Sequence, residues 1–239
     1  MKKSFIIAAF FLGACLTQFA SAQESESTRE TRAKSLPSIP LIIRGGLNFS
    51  DLSISESGEE ELSRRTSFNV GVLFDFPLGL RFSLQSGLLL TSKGFKEDGY
   101  DNSQPATLTC NATYLEVPLL FVCHLPLGDN AEWLVNLGPY FAYGIDGKIT
   151  YEATAWGQKY SSKQSIKTFG NDVNGFNLFN RFDCGISFGT GLAYKKFSIG
   201  IQADLGLIDV KSPEYDMAYN LTQVTAKNRT ISLNVSYKL

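Results

Sequence analysis

From about residue 40 onward the chain alternates bulky apolar residues with small or polar ones, and it does so in eight separate stretches. The stretch from Phe182 to Tyr194 shows this best. Apart from Thr190, its even positions are Phe182, Cys184, Ile186, Phe188, Leu192 and Tyr194, while the odd ones are Asp183, Gly185, Ser187, Gly189, Gly191 and Ala193. Successive side chains of a β-strand point to opposite faces, so each stretch predicts a strand with one bulky apolar face and one small, polar face. The predicted strands lie at about 40–49, 67–77, 81–92, 113–126, 132–145, 181–194, 197–208 and 228–239, each bounded by Gly, Pro, Asn or Asp.

The connections alternate in length. Pro77–Leu80, the stretch at 126–130 and Lys195–Lys196 are short, whereas 50–66, 94–112, 146–180 and 209–227 are long and polar. Short turns at one end and long loops at the other are the plan of an eight-stranded antiparallel up-and-down transmembrane β-barrel, all-β, with both chain termini on the periplasmic side. The outward set includes Phe68, Val70, Val72, Phe74, Phe76, Phe82, Leu84, Leu88, Leu90, Leu115, Val117, Leu119, Phe121, Phe197, Ile199, Ile201, Leu205 and Leu207. The inward set includes Arg44, Asn48, Asn69, Gly71, Asp75, Arg81, Gln85, Gly87, Glu116, Asn136, Gly138, Asp183, Gly185, Ser187, Gly189, Gly200, Gln202, Asp204 and Gly206. A barrel of this size has room inside only for side chains, and the glycines leave space for long Arg and Glu groups.

A soluble, lipocalin-type barrel has the same period with its faces reversed. That arrangement would expose a glycine-rich face to water and crowd the Phe and Leu residues into a narrow lumen, whereas soluble surfaces carry mixed charge. The membrane orientation fits better. Aromatics are expected in two girdles: Phe74, Phe76, Phe82, Trp133, Tyr194, Phe197 and Tyr237 near the periplasmic rim, and Phe49, Phe68, Phe95, Tyr143 and Phe182 near the external one. The last strand alternates cleanly to Tyr237 and Leu239, which looks like the C-terminal signal read by barrel-assembly machinery.

The N-terminus agrees with export. Met1-Lys2-Lys3, the apolar run Phe5–Leu16 and Ala20-Ser21-Ala22 form a secretory signal over residues 1–22 with cleavage near Ala22; Leu12-Gly13-Ala14-Cys15 is a competing lipoprotein site. Residues 23–38 read as a periplasmic linker, and 39–239 as the barrel domain. No other segment approaches the roughly 18 apolar residues of a spanning helix, so a membrane location requires a closed barrel.

Composition then removes several classes of function. The net charge is −1, which gives no basic footprint for nucleic acid. Three cysteines remain after cleavage and the chain has one His, so neither a disulfide framework nor a metal site is expected, and no cofactor motif is present. Cys123 and Cys184 read as small outward-facing residues, while Cys110, in a predicted loop, is the candidate free thiol.

The segments Arg44-Gly45-Gly46-Leu47-Asn48-Phe49-Ser50, Tyr114-Leu115-Glu116-Val117-Pro118-Leu119-Leu120-Phe121, Leu137-Gly138-Pro139-Tyr140 and Phe188-Gly189-Thr190-Gly191-Leu192 resemble the PorT-type outer-membrane β-barrel family of Bacteroidetes. The resemblance covers nearly all of the chain after the linker. It implies a bacterial outer-membrane barrel; PorT itself is associated with type IX secretion, but most relatives have no assigned role.

Arg44, Asp75, Arg81, Glu116, Arg181, Asp183 and Asp204 share the expected interior. Charges removed from water must be paired, so a lumen salt-bridge network is expected, with Glu116 paired to an interior Arg. His124 faces inward near the periplasmic end; a barrel lipid hydrolase would need it beside a Ser nucleophile and a carboxylate that lipid can reach, and no catalytic set is assigned. The acidic run Ser55–Glu61 and the aromatics of 146–180 (Tyr151, Trp156, Tyr160, Phe169, Phe176, Phe179) lie in the external loops. The reading is a non-enzymatic barrel with a mostly filled lumen and a structural or partner-binding role. Its alternatives are an accessory of a type IX secretion system, a narrow pore and a lipid hydrolase. Its expected surroundings are outer-membrane lipid, lipopolysaccharide, the barrel-assembly machinery and other envelope or secretion proteins.

Overall fold

The computed structural model describes residues 39–55, 63–101, 104–155, 158–160, 166–169, 179–212 and 225–239. All of them belong to the second of two units into which the chain divides, Ser38–Leu239. The expected signal, the expected linker and most of the acidic run lie outside them. The strands are β1 (Leu41–Ser55), β2 (Ser63–Pro77), β3 (Phe82–Asp101), β4 (Gln104–Pro126), β5 (Ala131–Ala155), the short β6 (Gln158–Tyr160) and β7 (Ile166–Lys167), then β8 (Phe182–Tyr194), β9 (Phe197–Gly206) and β10 (Thr225–Lys238).

Each long strand pairs antiparallel with the next, β5 pairs with β8, and β10 returns to β1, closing an eight-stranded up-and-down ring. β6 and β7 add to β5 outside that ring. One circuit of cross-strand partners leaves β2 at Phe76 and passes through Leu84, Phe121, Leu137, Phe188, Ala203, Ile231 and Phe49. It returns to β2 at Thr66, a stagger of ten residues. Closure with such a stagger tilts the strands by roughly 40° and leaves an interior that side chains fill.

Period-two patterning explains which face each residue takes. Ile43, Leu47, Phe68, Val70, Val72, Phe74, Leu119, Phe121, Ile199 and Leu233 are all exposed on the outer surface, while Asn48, Asn69, Gln85, Glu116, Asp183 and Gln202 are buried inside. Cys123 and Cys184 fall on outward positions and form no disulfide. The short-turn rim carries aromatics: the Phe197 and Tyr237 rings lie 4.8 Å apart, and the Lys195 and Lys196 ammoniums sit over Tyr194 and Tyr237. Lys195 adopts a left-handed φ of 54° in the tight turn between β8 and β9. Phe95 departs from the expected girdle, because it points inward and packs against Leu52, Val210 and Ala226.

The strands run further than the alternation does. Residues 94–112, expected as a loop, form a hairpin whose pairing continues to Asp101 and Gln104, and β5 extends beside it to Ala155. Both faces of this extension lie beyond the lipid-facing band, so neither must be apolar and the two-residue signal disappears. What remains is β-branched Thr and short polar links, such as Thr107 Oγ1 donating to Asp98 Oδ1 at 2.7 Å. Thr113 pairs with Asp146 whereas Tyr114 pairs with Gly144, making Ile145 a β-bulge at the foot of the extension. From the long segment that follows β5, Phe169 folds inward against Tyr114, ring centroids 5.4 Å apart, and Phe179 packs beside it. Trp156 and Phe176 lie outside the described residues.

Glycine makes room for this interior. A Cβ at Gly185 would run into the backbone carbonyl of Leu205 on the neighbouring strand and would stand 2.6 Å from Cε1 of Tyr140, whose ring crosses the lumen there. Gly185→Val should therefore destabilise the barrel by about 1–3 kcal/mol through overpacking, read as a lower urea midpoint of the refolded protein. A midpoint equal to wild type would show that neither the Leu205 backbone nor Tyr140 needs that space.

Candidate functional site

The interior polar groups form three layers along the barrel axis. The innermost is centred on Lys93 of β3, which takes its inward position from the same parity that turns Gln85, Leu89 and Thr91 into the lumen. Its side chain is 0 % exposed, and its ammonium lies 2.9 Å from Glu116 Oε2 on β4 and 3.5 Å from Asp183 Oδ2 on β8. The Tyr140 ring caps it, with Nζ 4.1 Å from the ring centroid. Asp183 Oδ2 also accepts from the Tyr140 hydroxyl at 3.3 Å and from Asn228 Nδ2 at 2.9 Å. Four strands of the ring are thus tied to one buried cation by the ion pairs and the Tyr140 contact, and β10 joins through Asn228.

Below it, Asp204 Oδ1 accepts from Ser187 Oγ at 2.6 Å and from Gln202 Nε2 at 3.0 Å. Gln202 in turn offers its Oε1 to Arg44 Nη1 at 3.2 Å, while Arg44 Nε donates to Ser236 Oγ at 3.4 Å. Beside these layers Asn48 links β1 to β2, β3 and β10 through Asn69, Thr91 and Ser232.

The third layer lies at the short-turn rim. Lys238 pairs with Asp75 at 2.8 Å, and Gln85 donates to the same carboxylate. His124 bridges Glu132 Oε2 through Nδ1 and Ser83 Oγ through Nε2, each at 2.9 Å. That order of groups matches a nucleophile, base and orienting carboxylate. Ser83 is nevertheless buried and does not line the adjoining cavity, so the three groups brace β3, β4 and β5 at the rim. The cavity has a volume of about 300 Å³ and opens among the turn residues Gly128–Ala131, Lys195 and Lys196.

Of the residues expected to form the charge network, Arg44, Glu116, Asp183 and Asp204 are buried in the two deeper layers and Asp75 at the rim. Arg81 and Arg181 are not among them. Each stands at a bend one residue before its strand, where parity no longer dictates direction, and each is exposed. Arg181 instead donates to the carbonyls of Gly144 and Phe169, holding Phe169 over the long-loop end. Glu116 pairs with a lysine rather than an arginine. Lys93 was missed because the predicted strand stopped at 92; continuing the inward parity one step would have found it. Cys110 is buried on β4 rather than lying in a loop, and burial pushes its thiol up to about 12, far from a reactive thiolate. Among the described residues no group of His, Cys, Asp or Glu is placed to hold a metal ion.

Residues 22–212 match the family model described as outer membrane protein beta-barrel domain. No curated protein matches the chain in sequence. Among solved structures it is similar to the attachment invasion locus protein Ail of Yersinia pestis, at 13% identity and a TM-score of 0.38, covering 84% of this chain and 99% of Ail. OprG of Pseudomonas aeruginosa gives 13% identity and a TM-score of 0.41, covering 84% and 96%. Neisserial surface protein A gives 9% and 0.38, covering 83% and 97%.

Lys93→Met leaves two carboxylates facing each other without a counter-ion, and should cost about 3–5 kcal/mol of unfolding free energy. Adding Glu116→Leu should recover part of that loss, since one unpaired charge goes with it. Urea titration of the refolded barrel measures both, and additive losses would refute the pairing. In the folded protein at pH 8, Cys110 should resist iodoacetamide that labels it after unfolding; mass spectrometry of the peptide carrying Cys110 reads the difference.

Proposed function

The chain belongs to the outer membrane protein β-barrel domain family, and on that premise we propose that it is a closed, non-conducting, non-enzymatic barrel of the bacterial outer membrane whose working surface is its long-loop end. One observation carries this reading: the fully buried Lys93–Glu116–Asp183 cluster stretches across the lumen, backed by Tyr140 and Tyr114. Opening a water path there would break ion pairs that bind opposite walls together. With transport set aside, the elements free to act are those above the membrane. β3, β4 and β5 continue there as a sheet paired to Asp101, Gln104 and Ala153, with polar residues available on its faces. A rigid sheet of this kind suits a protein partner, and a paired strand could add to it. The outward apolar band makes outer-membrane lipid and lipopolysaccharide the surroundings of the barrel. Partnership with a type IX secretion machine is one version of the partner-binding role, to be separated by an inventory of secreted proteins after deletion.

In planar bilayers the folded wild-type protein should give no single-channel steps, whereas Lys93→Ala combined with Glu116→Ala and Asp183→Ala should give discrete ones. Porin-like steps from the wild type would sink the closed-lumen reading. Heat-modifiable gel mobility establishes that each sample is folded before it is measured.

A further inference from the structure

We propose that the cavity at the periplasmic rim is a binding site for a small organic carboxylate, held by Arg44, of the size of a dipeptide or of the C-terminal end of a peptide. Arg44 is 9% exposed, yet no carboxylate lies within ion-pair distance of it among the described residues. Its protein acceptors are neutral, Gln202 Oε1 at 3.2 Å and Ser236 Oγ at 3.4 Å, and Nη2 has none among the described residues. The nearby Asp204 does not take it directly, because Gln202 stands between them. A guanidinium so placed has donors left to receive a planar anion, and carboxylate geometry matches its fork. Arg44 also lines the cavity of about 300 Å³, at the lower end of small-molecule pockets.

The rest of the lining narrows the chemistry. Arg44, Ser198 and Ser236 stand on the wall made by β1, β9 and β10, while Asp75, Gln85, His124 and Glu132 stand on the wall made by β2 to β5. The Lys238 ammonium is engaged by Asp75. Lys195 and Lys196 border the mouth, but their ammoniums lie over the Tyr194 and Tyr237 rings of the outer surface. A doubly charged phosphate would meet Asp75 and Glu132 across the cavity. A single carboxylate whose other end carries an amine or amide N–H suits both walls: the acid on Arg44, the donors toward Glu132 and Asp75. The site faces the periplasm and does not depend on whether the lumen conducts.

The test uses the full-length protein in nanodiscs, titrated calorimetrically with Ala-Ala, with Ala-Ala amide and with acetate. Ala-Ala should bind at least tenfold more tightly than either of the others. Arg44→Gln should remove that preference, and Arg44→Lys should keep a weaker form of it. Ser198→Phe narrows the cavity while keeping the Arg44 side chain and should also abolish binding, which keeps the test informative if Arg44→Gln does not fold. A longer peptide blocked at its N-terminus but with a free C-terminus separates the two sources: binding as tight as Ala-Ala points to a chain end, and loss of binding points to the free dipeptide, which needs its amine. Equal binding of Ala-Ala and its amide, no binding of Ala-Ala, or wild-type affinity in Arg44→Gln or Ser198→Phe would overturn the proposal.

Discussion

The interior of this barrel is organised by a single requirement: a lysine ammonium with no access to water must be surrounded by groups that replace its hydration. Lys93 meets it with Glu116, Asp183 and the face of Tyr140, which come from three other strands. Because those partners are spread around the ring, the cation constrains register as well as charge. A slip of one residue in β3 would move Lys93 to the lipid side. Gly185 serves the same requirement, since a Cβ there would meet the Tyr140 ring as well as the Leu205 carbonyl.

The membrane imposes a second rule on the outside and relaxes it above. Within the lipid-facing band every outward position is apolar or small, and the alternation is strict enough to read by eye. Beyond the bulge at Ile145 both faces can be polar, so backbone pairing and short polar contacts such as Thr107–Asp98 hold the extension of β3, β4 and β5. This boundary explains how far the fold was legible in the sequence. The eight strands, their order and their inner and outer faces follow from Phe68, Val70, Val72 and their counterparts. The ends of β3, β4 and β5 do not, because Thr107 and Asp98 carry no period-two signal.

The deeper layers were legible to a similar extent. Asp183, Asp204, Glu116 and Arg44 declare themselves as charges at inward positions of well-patterned strands. Lys93 stands where the pattern fades and was missed, while Arg81 and Arg181 stand just outside strands and were counted with the inward charges. The Ser83–His124–Glu132 contact joins residues from three strands through lateral register, which one strand's pattern does not encode.

The pairing of β1 with β10 has a consequence for how the molecule is made. Ile42 meets Lys238 and Ile43 meets Tyr237, so the seam joins the first strand of the barrel to its last. Contacts so distant in sequence form late and slowly, because the whole intervening chain must be ordered first. Until that seam closes, both edge strands present unpaired amides and carbonyls that hydrocarbon cannot satisfy. The backbone of the barrel is therefore fully satisfied in a bilayer only once β1 and β10 have paired.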